Sequence, residues 1–191
     1  FKDAKYSAER ERSVGLGVMG FHSFLQQKRI PLESVMAKSW NKKIFKNIHE
    51  KVNQASKDLA EERGACPDAA EYGFKERFSN KTAIAPTASI SIICGGASPG
   101  VEPIAANSYT HKTLSGSFNV RNRYLEEILE GHGKNDDETW STITTNQGSV
   151  SHLDFLTELE KDVFKTAFEL NQKWIIELSG DRTPFISQAQ S

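Results

Sequence analysis

At 191 residues the chain is long enough for one sizeable core, or for two sub-lobes. With 24 Lys and Arg against 25 Asp and Glu, the net charge of -1 excludes a basic field for nucleic acid and an acidic tail. Two cysteines exclude a disulfide framework or a Cys-rich zinc site, and no run is long and apolar enough to span a bilayer. The simplest setting is a reducing cytoplasm, without a signal peptide. The chain starts at Phe1 and ends at Gln190-Ser191, directly after an apolar Pro-Phe-Ile run. Both ends read as cuts inside a longer protein, so residues 1–191 are expected to be one partial domain.

Residues 1–13 are charged and read as a solvated lead-in. Residues 14–29 carry Val14, Leu16, Val18, Met19, Phe21, Phe24 and Leu25 around Gly15, Gly17 and Gly20, which predicts a packed, glycine-bearing helix. Gly15 to Gly20 matches G-x-G-x-x-G, but charged residues precede it where a dinucleotide site needs a hydrophobic strand. A helix is predicted from Ser39, with Trp40, Ile44, Ile48, Val52, Ala55 and Leu59 inward, Gly64 as its C′ residue and Pro67 beyond. Residues 65–80 read as a polar loop.

Thr82–Ala85 read as a short buried strand, which Pro86 ends because it has no N–H for a ladder. Thr87, Ala88, Ser89, Ile90 and Ser91 follow as a small hydroxyl-bearing turn. If it opens a helix, its unpaired N–H groups make a ready site for phosphate. An ordinary Ser/Thr cap with no ligand is the plain reading of the same residues, and on local sequence alone the commoner one. Ile90–Ile93 stay open: β-branching favours strand, the cap-like residues favour helix. Residues 97–103 are a loop, because Pro99 and Pro103 forbid regular structure nearby. Glu102 either accepts N–H bonds from the neighbouring turn or is simply exposed.

Tyr109, Leu114, Phe118 and Val120 around Ser115-Gly116 predict an extended segment or hairpin. Asn122 is expected to cap a helix with Leu125, Ile128 and Leu129 inward, ended by Gly131 and Gly133. Residues 134–150 read as polar loop or weak structure. From Ser151 a long helix is predicted, stopped by Gly180 and Pro184, with Phe185 and Ile186 as a final strand. His22, His49, His111, His132 and His152 form no metal-ligand spacing and read as surface or hydrogen-bonded histidines. Cys66 and Cys94 read as buried inert thiols, with a redox or radical role as the alternative.

Several segments together resemble one family. They are Arg12-Ser-Val-Gly-Leu-Gly-Val-Met-Gly20, Asp58-Leu-Ala-Glu-Glu-Arg-Gly-Ala65, Ile84-Ala-Pro-Thr-Ala-Ser89, Val101-Glu-Pro103, Tyr109-Thr-His-Lys-Thr-Leu-Ser-Gly116 and Phe185-Ile-Ser-Gln-Ala-Gln-Ser191. In this order they span nearly the whole chain and resemble the catalytic large subunit of ribonucleotide reductase, class I in particular.

The resemblance implies a helix-rich α/β fragment of a ten-stranded barrel, from the later part of its second half. It implies that Thr87, Ala88, Ser89, Ile90 and Ser91 grip the diphosphate of a ribonucleoside diphosphate, with Glu102 as a support. It implies reduction of ribonucleotides to deoxyribonucleotides by a thiyl-radical mechanism. The partners implied are a radical-generating small subunit that contains a metal, a second large subunit and nucleotide effectors; these residues are expected to bind no cofactor. The family's radical and reducing cysteines have no counterpart here, so the fragment is expected to hold no catalytic residue and to show no turnover alone. It is also expected to self-associate through apolar surface around Ile84, Ile92 and Phe185. The alternatives are the adenosylcobalamin-dependent class, or a non-catalytic phosphate-binding or assembly module.

Overall fold

The structure is a computed structural model that describes residues 1–113 and 116–190. Its contacts divide the chain into two compact units. One holds Phe1–Val18, Lys38–Ala85 and Ile176–Ser191; the other holds Met19–Ala37 and Pro86–Ile175. Among the described residues no helix is long and apolar enough to cross a membrane.

The first unit contains helix α1 (Lys2–Glu11), all but the first turn of α3 (Val35–Arg63), α4 (Pro67–Glu71) and the end of α9 (Gln172–Arg182). Residues 1–13 are solvated as predicted, with no residue of α1 buried, but they form a helix that is fastened to α4. Arg10 on α1 reaches Asp68 at 2.5 Å and also pairs with Glu71, both on α4. Neither residues 14–17 nor the predicted final strand behave as the local pattern suggests. Val14 to Gly17 is extended, with parallel pairing of Leu16 to Thr82. The Leu16 N–H donates to Lys81 O at 3.0 Å and the Ala83 N–H donates to Leu16 O at 3.1 Å. A β-carbon on Gly17 would overlap the Ala83 carbonyl oxygen, so the glycine permits a backbone approach rather than helix packing.

The predicted strand over Thr82–Ala85 is extended, with Thr82 and Ile84 buried. Its far side is covered by residues 187–190. The Gln188 N–H donates to Thr82 O and the Ile84 N–H to Ala189 O, and Ile84 pairs in parallel with Gln190. Phe185 instead lies in a 3-10 turn, Thr183–Phe185, so the pairing segment starts two residues later than predicted. Gly180 does not stop α9, which runs on to Arg182. Ile84 is 3% exposed, against the expectation of a bare apolar residue there; Ile92 and Phe185 are half-buried.

Helix α3 begins one turn before Ser39 and ends at Gly64, as predicted. Its buried line is Ala37, Asn41, Phe45, Ser56 and Ala60. Trp40, Ile44, Ile48, Val52 and Leu59 are only half-buried, and Ala55 is exposed. Two polar residues hide this face from an apolar pattern. Asn41 Nδ2 donates to Leu178 O at 2.8 Å, and Ser56 Oγ accepts from the Arg77 and Phe78 N–H groups.

The second unit contains α2 (Phe21–Gln27), α5 (Ala88–Ile93), strands β1 (Ser108–Thr113) and β2 (Gly116–Arg121), α6 (Arg123–Gly131), α7 (Asp137–Thr145) and α8 (Glu158–Val163). The predicted hairpin is present: β1 and β2 pair antiparallel, Ser108 opposite Arg121 and Thr113 opposite Gly116. Leu114 and Ser115 lie outside the described residues. Asn122 caps α6, its side chain accepting from the Tyr124 N–H at 3.1 Å.

Residues 134–150 carry a helix, α7, at their centre, with irregular chain only on either side. Asp136 caps α7 through the Thr139 N–H at 2.7 Å, and Trp140 and Ile143 go into the core. The predicted long helix from Ser151 is broken. Thr157 opens α8 with a capping box to Glu160, and residues 164–171 are irregular before α9. The core is Leu125, Leu129, Trp140, Ile143, Val150, Leu153, Leu156, Val163 and Phe164, with Tyr124 at its edge. Each fully buried aliphatic or Phe side chain contributes about 1.5–3 kcal/mol.

Candidate functional site

Pro86 ends the extended segment, and Thr87 turns the chain into α5 with φ 53 and ψ 27. A β-branched residue in this left-handed conformation costs about 1–3 kcal/mol, so something must hold it. The Gly100 N–H does so, donating to Thr87 Oγ1 at 2.7 Å. Ile90 to Ile93, open in the sequence, are helical. Among the described residues no acceptor is bonded to the N–H groups of Ala88, Ser89 and Ile90, and all three residues are exposed. These are the first three amides of α5, on the end of a helix where the dipole favours negative charge.

Ser91 differs from its neighbours. It is buried, its N–H donates to Thr87 O, and its hydroxyl donates to Ala88 O at 2.9 Å. It therefore stabilises the turn from within. Glu102 is exposed, and its own N–H donates to Pro99 O. The bond from this loop to the turn comes from Gly100 instead.

The loop that holds Thr87 is itself fastened to the first turn of α2. Gly20, the N-terminal flank of α2 with φ 81, donates its N–H to Ser98 O at 2.9 Å. The Phe21 N–H donates to Gly100 O. Ser23 and Ser98 exchange bonds, each N–H donating to the other's Oγ, at 3.1 and 2.8 Å. His22 Nδ1 accepts from the Ile104 N–H at 3.1 Å. The side chain is 1% exposed, and burial lowers its pKa to about 4, so it sits here as the neutral imidazole. Gly20 thus marks a helix entry as predicted, whereas Gly15 lies with Gly17 in the extended segment. At the start of α2, the amides of Gly20, Phe21 and Ser23 are already bonded to the 98–100 loop.

On the inner side of α5 lies a cavity of about 390 Å3, against Ala88, Ser91 and Ile92 and facing Ile104, Tyr109 and Val120. An amide cluster floors it. Asn122 Nδ2 donates to Gln26 Oε1 at 3.0 Å and to Asn107 Oδ1 at 2.8 Å. Asn107 Nδ2 donates to Gly148 O and Phe164 O. Cys66 is buried as expected, but Cys94, the residue that ends α5, is exposed. Among the described residues no group of three or more His, Cys, Asp or Glu is placed to hold a metal ion.

Sequence reasoning found the turn but missed what supports it: His22, Ser23, Ser98 and Gly100. Ser23 and Ser98 are 75 positions apart, and no local pattern joins them.

A model of the ribonucleotide reductase barrel domain matches residues 1–76 and 68–191, together the full length of the chain. The chain belongs to the ribonucleotide reductase barrel-domain family. It is 50% identical over 189 residues to the ribonucleoside-diphosphate reductase large subunit of Invertebrate iridescent virus 6, covering 97% of this chain and 20% of that protein. The corresponding large subunit of Invertebrate iridescent virus 3 is 45% identical over 193 residues, which is 100% of this chain and 30% of the relative. Among solved structures, the Actinobacillus ureae class Id ribonucleotide reductase alpha subunit superposes with a TM-score of 0.88 at 39% identity, over 97% of this chain and 33% of that one. The chain thus spans about a fifth to a third of the length of these relatives.

Proposed function

We propose that the chain is part of the catalytic large subunit of a class I ribonucleoside-diphosphate reductase, and that the Thr87–Ser91 turn holds the substrate's diphosphate. The observation that carries this is the set of three exposed, unbonded amides on Ala88, Ser89 and Ile90, inside a family whose barrel domain the chain matches throughout. Three unbonded N–H donors at a helix N-terminus can bind phosphate oxygens and let the sugar be oriented for reaction. Thr87 and Ser91 set the turn, and Glu102 lies on the supporting loop. The chemistry belongs to the whole protein: a thiyl radical abstracts a ribose hydrogen and a thiol pair supplies the electrons. The radical comes from a metal-containing small subunit, and nucleotide effectors and a second large subunit act on the assembly.

The chain corresponds in this reading to one partial domain, the later part of the second half of a ten-stranded α/β barrel. The parallel pairing of residues 14–17, 82–84 and 188–190 supports that placement. The free thiols Cys66 and Cys94 accord with a reducing cytoplasm. The likeness to a class Id alpha subunit favours class I over the adenosylcobalamin-dependent class. A turnover assay of the whole large subunit decides between them. Deoxyribonucleoside diphosphate should form only when the separate radical-generating subunit is added. Turnover with adenosylcobalamin alone would overturn the class I reading, and a protein inert under both conditions would favour the assembly-module reading.

A further inference from the structure

The turn is held in place by hydrogen bonds from the 98–104 loop and the start of α2. Thr87 needs a left-handed backbone to aim the next three amides outward, and the Gly100 N–H fixes it at 2.7 Å. Gly100 is buried, and so is Ser98, at 0% exposed. Both are bonded to the first turn of α2: Ser98 through Gly20 and Ser23, Gly100 through Phe21. Ile104, at the far end of the same loop, is bonded to His22. Every bond in this set joins residues of one compact unit. Gly20 and the first three residues of α2 thus serve as a template for the loop, and the loop serves as a clamp on Thr87.

We infer that Gly20–Ser23 and Ser98–Gly100 form a brace for the phosphate turn, with Thr87, Ser98 and Ser23 as positioning residues. This inference rests on the reading of the Thr87–Ser91 turn as the phosphate site. Thr87 Oγ1 acts by accepting from Gly100 and locking its own backbone. Ser23 and Ser98 act at one remove, by keeping the Gly100 amide where Thr87 can use it.

The test uses the whole large subunit, with pyrophosphate as the probe in calorimetry and hydrogen exchange followed over residues 98–104. Thr87→Val keeps the side-chain shape and removes the acceptor. It should weaken pyrophosphate roughly tenfold, the effect of one buried hydrogen bond, and speed exchange at Gly100. Thr87→Ser keeps the acceptor and should restore most of that affinity. Ser98→Ala, remote from the ligand, should weaken binding in the same direction, by roughly threefold to fivefold. When substrate concentration is varied, the loss should appear in KM and leave kcat near its original value.

Wild-type affinity in Thr87→Val would overturn the brace. So would a weakened Thr87→Val whose Gly100 exchange is unchanged while Ser98→Ala binds normally, because Thr87 would then be touching the phosphate itself. If Thr87→Val fails to fold, Thr87→Ser and Ser98→Ala still decide. The underlying reading fails separately: unchanged pyrophosphate binding in Ser89→Glu, a change at the turn's exposed amides, would remove the phosphate site and leave the exchange result to report on the brace alone.

Discussion

Gly148 lies so close to Ala106 that a β-carbon on it would overlap the Ala106 methyl, and its φ of 81 is one that side chains rarely adopt. The closeness has a use. The Gly148 carbonyl accepts from both the backbone and the side-chain amide of Asn107, at 3.1 and 3.0 Å. Asn107 O in turn accepts from the Asn122 N–H, which closes the open end of the β1–β2 hairpin.

Gly148→Ala should therefore lower stability by about 3 kcal/mol, combining overpacking with backbone strain. Urea unfolding measures this directly. A loss below about 1 kcal/mol would show that the 106–107 segment yields easily.

Stability should fall on acidification because of His22. Its folded-state pKa is about 4, against an ordinary value of 6.5, and burial is the cause. Between those values the unfolded chain binds a proton that the folded chain refuses. The stabilisation is thus complete above about pH 6.5 and is lost as the pH falls toward 4, a change of about 3 kcal/mol. Urea midpoints at several pH values, with His22→Gln as the control, test the assignment. Gln offers an acceptor to the Ile104 N–H without titrating, so its profile should be flatter over this range. Identical slopes in the two proteins would contradict it.

Thr157→Ala should destabilise the second unit by about 1 kcal/mol, because Thr157 Oγ1 accepts from the Glu160 N–H at 3.2 Å while Glu160 accepts from the Thr157 N–H at 2.8 Å. Thr157→Ser should cost much less. Equal losses in the two would mean that the methyl group, not the cap, matters.

That capping box also shows what the sequence does and does not disclose. The Thr157-x-x-Glu160 signature is plainly written, yet the apolar spacing from Leu156 to Leu178 outweighs it and predicts one long helix. Short caps decide where helices stop; periodicity alone does not. Asp136 made α7 in the same way, around Trp140 and Ile143, inside a stretch polar enough to read as loop. Local signals did place the α3 terminus at Gly64, the Asn122 cap, the hairpin and the turn after Pro86. The segments that failed are those set by distant partners. Residues 14–17 and 187–190 are extended because each pairs with Thr82–Ile84, a partner distant in sequence. The candidate site divides likewise: its amides follow from the residues of the turn, whereas the brace from Ser23, Ser98 and Gly100 depends on tertiary structure.

The central claim is that the amides of Ala88, Ser89 and Ile90 hold a substrate diphosphate. Ser89→Glu separates that role from folding, because a carboxylate in the first turn of a helix favours the helix while repelling a bound phosphate. The direct measurement is the calorimetric affinity of the whole large subunit for a ribonucleoside diphosphate, wild type against Ser89→Glu, at one fixed salt concentration. The account predicts a loss of roughly a hundredfold or more, the size of removing charge-assisted hydrogen bonds, with the thermal midpoint unchanged or raised. Wild-type affinity in a correctly folded Ser89→Glu protein would contradict it.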